Sequence, residues 1–273
     1  MFSFLSDFLE KKQIDCFAPL PLEACLLTKP YLLEKEGIDA GSVVMLAIPY
    51  YTPFCEDPTR NLSAYAVPRD YHLFFKDLFG EILTLLNKHF PKHRFAAFAD
   101  HSPINEIDAA AKAGLGVIGK NGLLITEKYS SYVFLGEIIT DAIIPAVSKE
   151  IRTCLDCGAC RRACSMTEKG CPCLSSLTQK KGELNEAEKA WLRSHPLVWG
   201  CDTCQEVCPH TIQAKKNGTV YSPIPFFNEE PIGHLTGAVL EHLSDGEFSM
   251  RAYAWRGRKT IERNLELKEE RKE

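Results

Sequence analysis

The sequence predicts a mixed α/β (α+β) domain followed by a cysteine-rich domain and a short helical tail, on three observations. Apolar runs of strand length alternate with helical periodicity from Val43 to about Pro145. Nine of the twelve cysteines crowd between Cys154 and Cys208. Helical spacing then returns only after Pro223 and Pro225. The expected boundaries are 1–147, 148–225 and 226–273, the first set by Pro145 and the polar run Ser148-Lys149-Glu150.

In chain order, Phe2 to Leu9 reads as a short amphipathic helix, because Asp7 interrupts its apolar run. Val43 to Ile48, Arg94 to Ala99, Leu123 to Thr126 and Tyr132 to Ile139 read as strands, and Arg69 to Phe90 and Glu106 to Ala113 as helices. Leu235 to Leu243 and Phe248 to about Leu267 carry the helical spacing of the tail, which reads as an appendix without a core of its own.

With 273 residues, of which 45% are hydrophobic and 25% charged, the chain can bury a full core. The formal net charge of −4 argues against a dominant nucleic-acid-binding field and leaves any polyanion to be met locally. No stretch of roughly 18 apolar residues suggests a membrane span, and the first apolar run lacks a basic leader and a small-residue cleavage site. A cytoplasmic, reducing location is expected, since the cysteines cluster in metal-ligand spacing instead of spreading through the chain as disulfides would. Cys16, Cys25 and Cys55 lie outside that cluster and read as buried small hydrophobes.

Cys154-x2-Cys157-x2-Cys160-x3-Cys164 has the bacterial ferredoxin spacing, in which three thiolates hold one 4Fe–4S cube and the fourth crosses to another. Cys201-x2-Cys204-x3-Cys208-Pro209 supplies the complementary half. Crossed ligation assigns Cys154, Cys157, Cys160 and Cys208 to one cluster, and Cys164, Cys201 and Cys204 plus Cys171 or Cys173 to the other. A pair of four-thiolate zinc sites is the competing reading, disfavoured by the x2-x2-x3 run and the Cys-Pro ending. Ser165 stands where a proline usually follows the fourth cysteine. The predicted module is thus ferredoxin-like, and two interleaved clusters form a wire whose end point belongs in the upstream domain.

Several blocks carry a resemblance: AYAVPRDYH at 64–72, Asp100-His101-Ser102-Pro103, AGLGVIGK at 113–120, FLGE at 134–137 and GCDTCQEVCP at 200–209. In this order around the cysteine frame, over roughly 43–225, the sequence is similar to the epoxyqueuosine reductases, cobalamin-dependent iron–sulfur enzymes. The resemblance implies a base-off cobalamin between the α/β and cluster domains, with Ser63, Tyr65, Asp100, Leu124, Leu135 and Asp202 as contacts. It implies Cys173 as the remaining cluster ligand, because Leu174-Ser175-Ser176-Leu177-Thr178 follows it. It also implies that Asp100 delivers the proton, a task that requires burial to raise its pKa toward neutrality. On local sequence Asp100 reads equally as a turn former. Gly114, Gly116 and Gly119 would let backbone approach the cofactor; a dinucleotide loop is disfavoured because these glycines follow a helix. Arg69 and His72 read either as cofactor-arm contacts or as the first turn of a helix.

Two departures bear on substrate. Family members are usually longer, with a C-terminal helical-repeat segment that helps dock tRNA, and Ile107 replaces a basic residue after Glu106. The expected activity is reduction of epoxyqueuosine to queuosine in a tRNA anticodon loop by a monomer fed by an external low-potential electron donor. Arg256, Arg258, Lys259 and Arg263 are candidate phosphate contacts. The alternatives are a cobalamin-dependent reductase of another small substrate and a double-cluster electron-transfer protein.

Overall fold

The computed structural model describes residues 1–39, 41–166 and 173–269. Its central sheet is built from β1 (Phe17–Pro21), β2 (Ser42–Pro49), β3 (Phe95–Phe98) and, after a small hairpin of β4 (Val117–Ile118) and β5 (Leu124–Ile125), β6 (Val133–Thr140). The order is β1-β2-β6-β3 with every neighbour antiparallel, which makes the domain α+β. Val44 lies opposite Ile138 and Leu46 opposite Gly136.

All eight residues of β2 are buried because both faces of the sheet are covered. Side chains alternate between faces with a period of two. Val44, Leu46 and Ile48 therefore meet Leu5, Phe8 and Leu9 of α1 (Phe2–Lys11), and Phe75, Leu78, Ile82 and Leu86 of a later helix. Val43, Met45 and Ala47 face the opposite core, with Leu33 of α2 (Tyr31–Glu36). The long helix on the first face is α3 (Tyr71–His89), and α4 (Glu106–Ala113) packs on the second through Ala109, Ala110 and Ala113.

The helix expected from Arg69 begins two residues later because Asp70 caps it: its side chain accepts from the His72 N–H at 2.9 Å. The strand β1 escaped the periodicity reading. Its sequence, Phe-Ala-Pro-Leu-Pro, carries two prolines that cannot donate, and an edge strand hydrogen-bonded to β2 alone tolerates them.

The cysteine-rich segment folds as short helices: α5 (Ala159–Ala163), α6 (Leu174–Thr178), α7 (Glu186–Ser194), α8 (Thr203–Glu206) and α9 (Pro209–Lys216). Asn185 and Glu188 form a capping box at the start of α7. The tail comprises α10 (Gly237–His242), α11 (Asp245–Ser249) and α12 (Arg258–Glu269). One helix was expected from Phe248 to Leu267; the chain instead breaks between α11 and α12, where Gly257 takes φ +83°.

Nor is the tail an appendix. Leu240, Phe248, Tyr253, Ile261 and Leu265 join the same buried cluster as β2 and α3. Buried Asn264 donates through Nδ2 to Thr178 O and Val198 O, both at 2.8 Å, tying α12 to the cysteine-rich segment.

Candidate active site

Four of the predicted ligands, Cys154, Cys157, Cys160 and Cys208, line one cavity with Lys120, Asn121 and Gly158. Local backbone places them. Cys154 N–H donates to Ile118 O at 3.1 Å, which hangs the first cysteine from β4. Gly158 at φ +73° turns the loop into α5, and Pro209 opens α9 directly after Cys208. Lys120 N–H points at Cys154 Sγ at 3.4 Å, the backbone-to-sulfur bond that stabilises a cluster thiolate.

Cys201 and Cys204 each feel the charge of Cys173, and Cys164 and Cys201 pack against one apolar cluster with Leu174 and Leu177. Cys204 also feels Cys160 of the first set, so the two sets of cysteines adjoin one another. Burial pushes the Cys204 thiol up to about 12, so a bound cationic centre is what would make it a thiolate. Cys171, the alternative to Cys173, lies outside the described residues. No disulfide joins two described cysteines, and among the described residues no three His, Cys, Asp or Glu side chains close up on a single-ion site. Cys55 is buried as expected, whereas Cys16 and Cys25 are half-buried.

A second cavity, of about 570 Å³, lies where the sheet domain, α6 and the tail meet. Tyr65, Asp70, Tyr71, His72, Asp100 and Phe134 line it from the upstream domain, Ser175 of α6 and Gln179 just past its end from the cysteine-rich segment, and Ala252 and Trp255 from the tail. Phe134 and Tyr71 stack at 4.0 Å and give it an apolar wall.

Asp100 sits at the end of β3 in a left-handed turn, φ +62°, which aims its carboxylate into this cavity. His72 Nε2 lies 3.1 Å from Asp100 Oδ2, and His72 Nδ1 lies 2.8 Å from Asp70 Oδ1. The Tyr71 hydroxyl also donates to Asp100 Oδ2. These contacts overturn the expectation of a neutral Asp100. Burial pushes its carboxyl up, but the bonds from His72 and Tyr71 outweigh burial and hold it below the usual carboxylate range. The same bonds, to Asp100 first and then Asp70, raise His72 to about 10. At neutral pH the proton is on His72.

Asp70 and Tyr71 were missed by sequence reasoning, although both lie in the AYAVPRDYH block. The signal was a charged residue on each side of an aromatic at a helix start, with no way to know that β3 would deliver Asp100 opposite.

The remaining predicted contacts divide. Tyr65 lines the cavity and receives a bond from Gln179 Nε2 at 3.5 Å. Ser63 and Asp202 lie behind it, engaged with one another: Ser63 Oγ donates to Asp202 Oδ1, Ala64 N–H to Oδ2 at 2.8 Å, and Arg60 pairs with Oδ2 at 2.7 Å. Leu124 is buried and Leu135 partly buried in the second apolar core, away from the cavity lining. Of the basic tail residues, Arg258 donates to Leu240 O and Leu243 O, and Arg263 to Lys180 O and Gly182 O. These two cations brace carbonyls and are not free for phosphate.

The family model "Epoxyqueuosine reductase QueG, DUF1730" matches residues 35–101, the stretch that contains β2, α3 and Asp100. The epoxyqueuosine reductase of Gloeobacter violaceus is 33% identical over 218 residues, 76% of this chain and 68% of that protein. That of Listeria monocytogenes is 30% identical over 253 residues, covering 86% and 64%. Among solved structures, an epoxyqueuosine reductase crystallised with an epoxyqueuosine-modified tRNA-Tyr stem loop superposes with a TM-score of 0.74 at 24% identity, over 98% of this chain and 81% of that one. The Streptococcus thermophilus enzyme gives 0.73 at 20%, over 99% and 81%. The structural likeness establishes the fold, and the sequence identity to the Gloeobacter protein carries the assignment further: the chain belongs to the epoxyqueuosine reductase family.

Proposed function

We propose that this chain reduces the epoxide of epoxyqueuosine in a tRNA anticodon loop to the alkene of queuosine, consuming two electrons and two protons and releasing water. The observation that carries the reading is the His72–Asp100 pair, a held proton facing a 570 Å³ cavity bordered by the cysteine-rich segment. In this reading residues 1–147 hold a cobalamin, 148–225 carry two 4Fe–4S clusters and 226–273 brace both.

The residues fit those groups. Cys154, Cys157, Cys160 and Cys208 would hold one cluster, and Cys164, Cys173, Cys201 and Cys204 the other. His72 has both ring nitrogens engaged by carboxylates, so it is held as a proton donor and not as a metal ligand. Tyr65, Asp100, Ser175 and Gln179 would contact that cofactor, with Ser63 and Asp202 fixing Tyr65 from behind and Leu124 and Leu135 supporting through the core. When bound, the clusters supply low-potential electrons and the cobalamin carries the reduction.

His72 supplies the proton that makes the epoxide oxygen a leaving group. Asp100 orients the imidazolium from one side and Asp70 from the other. Tyr71 and Phe134 shield that side of the cavity from water. The test is anaerobic reconstitution with iron, sulfide and cobalamin, followed by nucleoside analysis of epoxyqueuosine-containing tRNA. About eight irons and about eight sulfides per chain, with appearance of queuosine, are expected. Stoichiometric zinc without sulfide, or a loaded enzyme that leaves the epoxide intact, refutes the reading.

A further inference from the structure

Trp255 is out of place for a residue of its kind. Of the other two tryptophans, Trp199 is fully buried and Trp191 is half-buried against the third apolar cluster, but Trp255 is 57% exposed. An indole left in water gives up its large hydrophobic contribution unless something covers it in use. Tyr31 and Phe54 are also exposed aromatics, but neither lines the cavity that contains His72 and Asp100, as Trp255 does.

Its neighbours are cationic. The Arg256 guanidinium lies over the indole, 3.6 Å from the ring centroid, which holds the ring while more than half of the residue stays open to solvent. Arg256 Nε is buried without a partner among the described residues. Lys259 is exposed and, among the described residues, has no ion-pair partner. With Arg258 and Arg263 committed to carbonyls, Arg256 and Lys259 are the cations of this segment left to meet an anion. Single-stranded RNA is recognised through this combination, unstacked bases on an aromatic platform and phosphates on nearby cations.

We propose that Trp255 is a stacking platform for a nucleobase of the anticodon loop, with Arg256 and Lys259 beside it to receive the adjoining phosphate. This inference rests on the tRNA reading above and deepens it: the platform selects an RNA loop over a free nucleoside. It also places a substrate contact on the tail, at the cavity of His72 and Asp100.

The experiment measures filter binding of an anticodon stem–loop carrying epoxyqueuosine to the cluster- and cobalamin-loaded chain, for wild type, Trp255→Ala and Trp255→Phe. Cobalamin affinity is titrated in parallel. Loss of one base stack is expected to weaken stem–loop binding roughly 5- to 150-fold in Trp255→Ala. Trp255→Phe should retain most of the affinity, and cobalamin binding should be equal in all three. Wild-type stem–loop affinity in Trp255→Ala overturns the platform alone. Loss of cobalamin in Trp255→Ala also overturns it, by making the indole a corrin contact. A wild-type chain that binds no stem–loop overturns both the platform and the tRNA reading.

Discussion

A carboxylate and an imidazole 3.1 Å apart compete for one proton, and at His72 and Asp100 the surrounding bonds decide the contest. Asp70 on the far ring nitrogen and Tyr71 on the carboxylate both favour the ion pair. The folded pKa of His72 is raised above its unfolded value of about 6.5, so its contribution to stability is full below that pH and is lost as pH rises through about 10. Single-turnover rates should fall over the same alkaline range. Asp100→Asn removes the main cause of the shift, so the alkaline limb should move toward lower pH; an unmoved limb would mean that another group sets it. His72→Gln cannot deliver a proton and should slow turnover roughly 10²- to 10⁴-fold with clusters retained. At the metal frame, Cys173→Ala should lose about half of the roughly eight irons, while Cys171→Ala keeps them. The opposite iron counts would transfer the ligand role to Cys171.

Elements meet where side chains are small enough to let them. Gly200 takes φ +74° just before Cys201, and a Cβ there would lie 2.3 Å from Ser63 Cβ and 3.1 Å from Tyr65 Cε1. Its N–H donates to Thr178 Oγ1 at 2.9 Å, and its carbonyl lies 3.0 Å from His195 Nε2. Three pieces of chain thus converge on one residue without a side chain. Gly200→Ala should cost at least roughly 1–3 kcal/mol from the left-handed backbone alone, with the clash added, and should lower the urea midpoint. A midpoint equal to wild type would show that Ser63 moves aside freely.

Across the whole molecule, the first apolar core runs from Leu5 to Leu265, and the Arg60–Asp202 pair bolts the loop before α3 to the start of the cysteine-bearing α8. Asp202 is 1% exposed, and although Arg60 keeps the Glu206 carboxylate at 2.8 Å, Asp202→Ala leaves the buried Ala64 N–H and Ser63 hydroxyl without their acceptor and should destabilise by roughly 1–3 kcal/mol. Shared burial also predicts that the sheet and the cysteine-rich segment unfold together. Far-UV circular dichroism and cluster absorbance should therefore be lost at one temperature on heating. Two separated transitions would show that the shared core does not couple them.

The sequence by itself determined what depends on neighbours along the chain. The unbroken apolar run from Val43 to Ile48 marks a strand, the cysteine spacing marks a candidate metal-binding loop, and Asn105 before Glu106 starts α4 where expected. It also carried the resemblance to the family. Only the tertiary structure decided which distant groups meet. It put the proton on His72 by setting β3 against the start of α3, closed Ser63 onto Asp202 across 139 positions, turned Arg258 and Arg263 inward to carbonyls, and brought Trp255 to the cavity of His72 and Asp100. The division has a physical cause. Periodicity and ligand spacing are enforced by bonds within a few residues, so they are written locally. Protonation, ion pairing and exposure depend on the groups that packing brings from elsewhere, and no short stretch of sequence contains them.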